Sequence, residues 1–264
     1  MRLTRALVVC AALVMVPGGA ALPLLVQAQA RSGGSAPRAE PHVPYRVGER
    51  LMYDVSWSNF LTAGEVRIAV ESRRPSYGST AYYVVAEARP VGMLARMYTL
   101  YYKADSLIDV FTLLPQRGSV YSREGGRQRM KTTMFDHKAR QAAFEMRTAS
   151  TMEKEIAIDA ATHDALSAIF SLRARAPKPG ERIVIPVSDS GTLYQVQMAV
   201  GQPGPVRKAD GSTVQGLPVT PTVVDGTGKP TGLRASLWLG ADGAYTPIRF
   251  EASLPVGRIV VALR

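Results

Sequence analysis

From Tyr45 onward the chain is written in short alternating segments, each closed by turn chemistry, and this pattern restricts the fold more than any other feature. In "EVRIAVES" Val66, Ile68 and Val70 fall on one side of an extended strand while Arg67 and Glu71 fall on the other. That is the two-residue period of a half-buried strand. "TAYYVVAEA" follows the turn "RRPSYGS", and "RGSVYSR" and "RQRMKTTMFD" flank "EGG", whose glycines suit the positive φ of a tight hairpin. "DHKAR" turns the chain into "QAAFEMRT", "SG" separates "ERIVIPVSD" from "TLYQVQMAV", and "ADG" marks reversals at 209–211 and 241–243. "RASLWLG", "TPIRFEASL" and "RIVVALR" close the series. Pro186 interrupts an apolar strand pattern and cannot donate a ladder hydrogen bond, which predicts an edge or a bulge. The Gly- and Pro-rich stretch 200–232 reads as a hairpin with long loops, with Val206, Val214 and Val223–Val224 on short strands.

One segment keeps a helical period. In "ATHDALSAIFSLRAR" Leu166, Ile169 and Phe170 fall at i, i+3 and i+4, with Leu172 near the same side. Asp159 or Thr162 can cap its start, Asp164 suits the positive end of the dipole, and "APKPG" stops it. A lone amphipathic helix among a dozen strands should lay its apolar stripe on a sheet face. The predicted fold is a mainly β domain: one strongly curved antiparallel sheet, a partly open barrel or clam-like form as in lipoprotein carriers and lipocalins, with this helix on the concave face. The alternative is a two-sheet β-sandwich.

Two stretches break the alternation with apolar residues. Between "LMYDVSW" and "GEVRIAVES" stands "SNFLTA", too apolar for an ordinary exposed turn. "RPVGMLARMYTLYYKADSLIDVF" reads either as a short helix running into a strand or as a loop covering an opening. Trp57, Phe60 and Leu61, facing Met93, Met97 and Tyr98, can form the lips of a cavity mouth; the bland reading makes them a satellite core under a loop. With Tyr101, Leu166, Ile169 and Phe170 they form the candidate ligand-binding set.

Several segments together resemble a bacterial exported family known as domain of unknown function 3108. They are "GERLMYDVSW" (Gly48, Glu49, Tyr53, Trp57), Gly64 opening the next strand, "TMFD" ending at Asp136, "HDALSAIFSLR" with its following "PKPGE", and the closing Trp238, Asp242 and Pro247. The resemblance spans Tyr45 to Arg264 and implies an envelope protein of mostly β-structure. It implies no catalytic residues.

The first thirty residues have the layout of a secretory signal peptide: Arg2 and Arg5, an apolar run, then small residues at Ala28 and Ala30. Pro17, Gly18, Gly19 and Pro23 interrupt the run below the ~20 apolar residues a membrane span prefers. Cys10 lies too near the start, behind bulky Val9, for a lipoprotein attachment site. The expected domains are therefore a signal peptide at 1–30, a disordered Pro/Gly/Ser-rich leader at 31–44, and one β-rich domain at 45–264, soluble in the periplasm. Cys10 is the single cysteine of the chain, so the processed protein would have no disulfide, thiol nucleophile or thiolate ligand.

Lys and Arg number 32 against 21 Asp and Glu, a net +11 that falls to +9 once Arg2 and Arg5 leave. Scattered basic residues of this kind serve solubility or attract anionic envelope surfaces; nucleic acid is not expected of an exported chain without a binding motif. No nucleophile elbow, P-loop, dinucleotide fingerprint or zinc-protease motif occurs. His42, His137 and His163 show no ligand spacing and read as solvent-facing turn or cap residues. Glu153 and Glu155 read as a solvated strand edge. No catalytic residue, metal or cofactor is assigned. The function read from the sequence is a binding or carrier protein for a lipid or other apolar envelope molecule; a structural or protein-interaction module and, less favoured, an envelope hydrolase are the rivals. Mass spectrometry of the exported product should find a chain beginning at Arg31; recovery with residues 1–30 attached would contradict the cleavage assignment.

Overall fold

The computed structural model describes residues 38–264 apart from 59, 255 and 256 and the side chains of Phe60 and Leu61. The signal-peptide assignment lies outside the described residues. The first half of the chain forms β1 (Arg50–Trp57), β2 (Phe60–Ser76), β3 (Ser79–Pro90), α1 (Gly92–Met97), β4 (Leu100–Asp109), β5 (Pro115–Glu124), β6 (Arg127–Asp136), β7 (Gln141–Arg147) and β8 (Thr151–Ala157). The second half forms α2 (Ala165–Ala174), β9 (Arg182–Asp189), β10 (Thr192–Val200), β11 (Gly204–Arg207), β12 (Thr213–Asp225), β13 (Arg234–Gly240), β14 (Pro247–Leu254) and β15 (Gly257–Leu263).

These strands make one 15-stranded antiparallel sheet and not two packed sheets, in the order β8-β7-β6-β5-β4-β3-β2-β1-β15-β14-β13-β12-β10-β9, with β11 beside β12. Each arm is a run of hairpins, and the arms meet where β1 pairs with the C-terminal β15. Consecutive hairpins follow from two-residue reversals such as Tyr77–Gly78 and Gly125–Gly126, where Gly78 and Gly125 carry positive φ. β2 runs longer than its alternation indicates, because "RRPS" continues the strand and Pro75 pairs with Thr80.

The sheet stays open, since β8 and β9 end the order without pairing with each other. Side chains nevertheless connect its two ends. Lys131 Nζ on β6 donates to Ser190 Oγ, and Lys154 Nζ on β8 donates to the Gly191 carbonyl, both at 2.8 Å. Edge strand β9 carries Pro186, as its missing N–H requires. Its free edge is partly covered: His163 N donates to Pro186 O and Ser188 N to His163 O.

Helix α2 is seated between the two arms. Leu166 and Phe170 pack with Tyr45, Val70, Val84, Tyr102 and Ile108. Leu172 packs with residues of β9, β10, β12 and β13, among them Ile183, Val200 and Leu239. Burial of such side chains contributes about 2 kcal/mol each. The helix start is set by Asp164, not by Asp159 or Thr162: its carboxylate accepts from Leu166 N and Ser167 N, and Ser167 Oγ returns a bond from Asp164 N. The Thr162 hydroxyl instead donates to the Asp159 carbonyl, within the turn before the helix. The stretch before β1 is irregular but in contact with the domain, since Val43 packs beside Tyr45 and Glu40 pairs with Arg73.

The far end of α2 is locked by charge. Arg173 is 1% exposed and forms a two-pronged ion pair with Glu49, at 2.6 and 3.1 Å. It also donates to the Ala244 carbonyl in the β13–β14 turn and lies over the rings of Tyr45 and Phe170. Beside it Tyr53 donates to Pro247 O. Removing one partner of a buried pair strands the other charge. Arg173→Met should therefore destabilise the domain by about 3 kcal/mol in urea unfolding, and Arg173→Met with Glu49→Leu should recover most of that loss.

Candidate functional site

The strand register aligns side chains in rows across one face of the sheet. Ile68, Ala86, Ala104 and Val120 are direct partners from β2 to β5. On the other arm Val261, Phe250, Leu237 and Val219 are partners from β15 to β12, and Val223, Val196 and Ile185 continue from β12 to β9. Together with Ala168, Ile169 and Leu172 of α2, these rows surround a cavity of about 320 Å³. Every strand except β8 and β11 contributes to its wall. The size lies at the lower end of small-molecule sites, which are also mostly apolar with a few placed polar groups.

The polar groups gather where the two ends of the sheet approach. Val120 is paired with Lys131, so the inward apolar row of β2 to β5 ends on an ammonium group. Thr133, two residues on, is buried and lines the same cavity, as do Ser188 and Ser190. Asp164 sits at the helix start, where Ser106 Oγ donates to its second oxygen at 2.7 Å. Burial pushes the Asp164 carboxyl above its ordinary range, against the hydrogen bonds from Ser106, Ser167 and Leu166 that favour the charged form. Gly118 makes this approach possible: a Cβ there would stand 2.9 Å from Asp164 Cβ. Asp105 also borders the cavity and is neutralised by Arg117 at 2.6 Å. Among the described residues no group of three or more His, Cys, Asp or Glu could hold a metal ion.

His163 corrects its reading as a solvent-facing cap. It is 4% exposed, its backbone bridges to β9, and its Nδ1 lies 3.3 Å from Ser167 Oγ. Burial, with a smaller contribution from His137, pushes its pKa down from 6.5 to about 4. His137 is in the β6–β7 turn as expected, but its Nε2 lies 2.7 Å from the Pro115 carbonyl and its ring stacks on Phe135. Glu153 and Glu155 stand on the exposed edge strand β8.

The sequence-derived site residues separate into three groups. Leu166 and Ile169 line the cavity, while Phe170 lies in the core behind it against Tyr45. Trp57 packs beside Tyr53, Val55 and Ile259, and Tyr101 donates to Glu87 at 2.7 Å beside Tyr121. Met93 and Met97 are 74% and 73% exposed on α1, with Tyr98 at 39%, so they do not close over the cavity. Phe60 and Leu61 have side chains outside the described residues. On either side of the "SNFLTA" break the ladder is already formed, since Trp57 pairs with Phe60 after a bulge between Val55 and Trp57. The cavity-lining residues Lys131, Phe144, Leu237 and Phe250 were absent from the expected set. The alternation signals their inward faces, but not that those faces converge.

Fold and site define an open β-barrel-like domain with an interior cavity. The chain belongs to the family described as "Protein of unknown function (DUF3108)", whose model matches residues 52–264. Among solved structures it is similar to a β-barrel-like protein of the domain of unknown function DUF1849 from Brucella abortus, at 12% identity and a TM-score of 0.52, over 81% of this chain and 94% of that one. It also aligns with a protein of YmcC-like fold from Bacteroides fragilis NCTC 9343, at 10% identity and a TM-score of 0.30, over 85% and 98% of the two chains. No curated protein matches the sequence.

The buried His163 gives a pH signature. Below pH 6.5 the unfolded chain takes up a proton there that the folded chain refuses until about pH 4. Stability present above pH 6.5 is therefore lost as the pH falls through that window, by up to about 3 kcal/mol. Asp164, with its pKa raised, contributes in the opposite sense, losing stability as pH rises through its folded value. The test is the difference between wild type and His163→Gln in thermal unfolding at pH 7 and pH 4.5: the variant should lose less on acidification.

Proposed function

We propose that this protein is an exported, periplasmic binding or carrier protein that holds an apolar or amphipathic envelope molecule between α2 and the sheet. The observation that carries the reading is the 320 Å³ cavity, walled by apolar rows from both arms of the sheet. A well-packed domain leaves few voids larger than a water molecule, so space on this scale in a β-rich interior supports a guest. In this reading the sheet curves around α2, the helix lies on the hollow side as in lipocalin-like carriers, and the guest takes the room beside Ile169. Location in the envelope rests on the signal-peptide pattern of residues 1–30. No helix among the described residues is long and apolar enough to cross a membrane.

The exposed Met93 and Met97 favour a second reading, an interaction module that uses α1 as a contact. The two readings differ at Ala168, which lines the cavity. Filling a void with Ala168→Phe should change stability by less than about 1 kcal/mol, whereas forcing the ring into a packed core costs about 1–3 kcal/mol. The same variant should weaken uptake of a fluorescent fatty acid at least tenfold. A stable wild type with no saturable uptake, and no co-purifying molecule by native mass spectrometry, would contradict the carrier reading.

A further inference from the structure

Lys131 is out of place in its row. Its direct partners are Val120 on β5 and Met146 on β7, so the strand register places an ammonium between two apolar side chains. Inward-facing lysines on edge strands discourage sheet-to-sheet aggregation, and Lys154 on β8 fits that role. Lys131 lies two strands further in, on β6. Its Nζ donates to Ser190 Oγ, and among the described residues it has no carboxylate within ion-pair distance. Two of its three donor hydrogens are left to serve something else. A partly buried, unpaired cation is costly in an apolar surrounding.

A second observation points the same way. Thr133, two residues along β6 from Lys131 and so on the same face, is buried and lines the cavity with a hydroxyl. The carboxylates at this end are already committed. Asp105 is paired with Arg117, Asp164 accepts from two backbone amides and Ser106, and Asp189 is itself engaged within the protein. What remains is donor capacity: the Lys131 ammonium, then the Thr133 hydroxyl. An anionic oxygen is a group to which both can donate.

We infer that the cavity takes a single-chain amphipathic anion, with the charged head at Lys131 and Thr133 and the chain running along the apolar rows toward Leu237 and Phe250. This deepens the carrier reading and rests on it. At about 30 Å³ for a group the size of a water molecule, 320 Å³ holds a chain of roughly ten non-hydrogen atoms.

The test is displacement of a fluorescent fatty acid from the full processed protein by decanoate, decyl phosphate, decan-1-ol and decylammonium at pH 7. Decanoate or decyl phosphate should compete at least tenfold better than decan-1-ol, and whichever of the two is tighter tells a carboxylate from a phosphate head. Lys131→Met should bring the anions down to the level of decan-1-ol without changing decan-1-ol itself, and Lys131→Arg should keep the preference. If Lys131 only ties the sheet ends together, Lys131→Met will weaken decan-1-ol equally, which overturns the inference. Equal binding of decan-1-ol and the anions, or preference for decylammonium, overturns the inference and leaves the carrier reading standing. Failure of all four to bind overturns both.

Discussion

The guanidinium of Arg173 joins parts of the chain that are otherwise distant. It is fixed by Glu49 just before β1, 124 residues away, and by the Ala244 carbonyl in the β13–β14 turn. β1 belongs to the N-terminal arm and β13–β14 to the C-terminal arm, so one side chain at the end of α2 fixes the helix where the arms join. A fully desolvated cation holds this position only because its planar donors are matched by a carboxylate and a carbonyl at once. The Tyr53–Pro247 bond runs alongside and ties the same two arms. With the C-terminal end fixed there and the N-terminal end capped by Asp164 against Ser106, α2 cannot settle further into the sheet. The cavity is the space that this two-point seating leaves.

That arrangement explains why the cavity is amphipathic. The arms join at β1 and β15, where inward residues are Tyr53, Val55, Ile259 and Val261. They end at β8 and β9, where closure is made by polar side chains and not by a ladder. An apolar region near the junction and a polar region near the opening follow from the topology itself. Lysine is suited to this seam, since its long stem can cross apolar surface and deliver an ammonium at the end. In the crossing of Lys131 and Lys154 to the β9–β10 turn, the sheet gains contact between its ends without an extended edge-to-edge pairing.

Much of this was legible in the amino-acid sequence because β-periodicity and turn chemistry are local. Val66, Ile68 and Val70 reveal their face without reference to anything distant, and "HDALSAIFSLR" reveals both the helix and its buried stripe. Pro186 marked an edge strand for a reason confined to its own missing N–H. The segments that carried the family resemblance held more than they showed, because Glu49, Tyr53, Arg173 and Pro247 lie far apart in sequence and meet only in the folded domain. His163 was misread because a polar residue before a helix ordinarily faces water; here its backbone completes the edge of β9 and takes the imidazole inside. Met93 and Met97 were misassigned for the converse reason: apolar residues in a short segment need not be covered, and α1 buries none of its own. Lys131 could not be picked out at all, since whether a lysine on an alternating strand faces inward depends on a register shared with β5 and β7.

The central claim is that the space between α2 and the sheet is real and apolar enough to accept a guest. Crystals pressurised with xenon test it directly, because xenon occupies dry apolar cavities and is excluded from packed cores. The account predicts xenon density bounded by Ile169, Leu237 and Phe250. An interior filled by these side chains, with no xenon bound between helix and sheet, would contradict it.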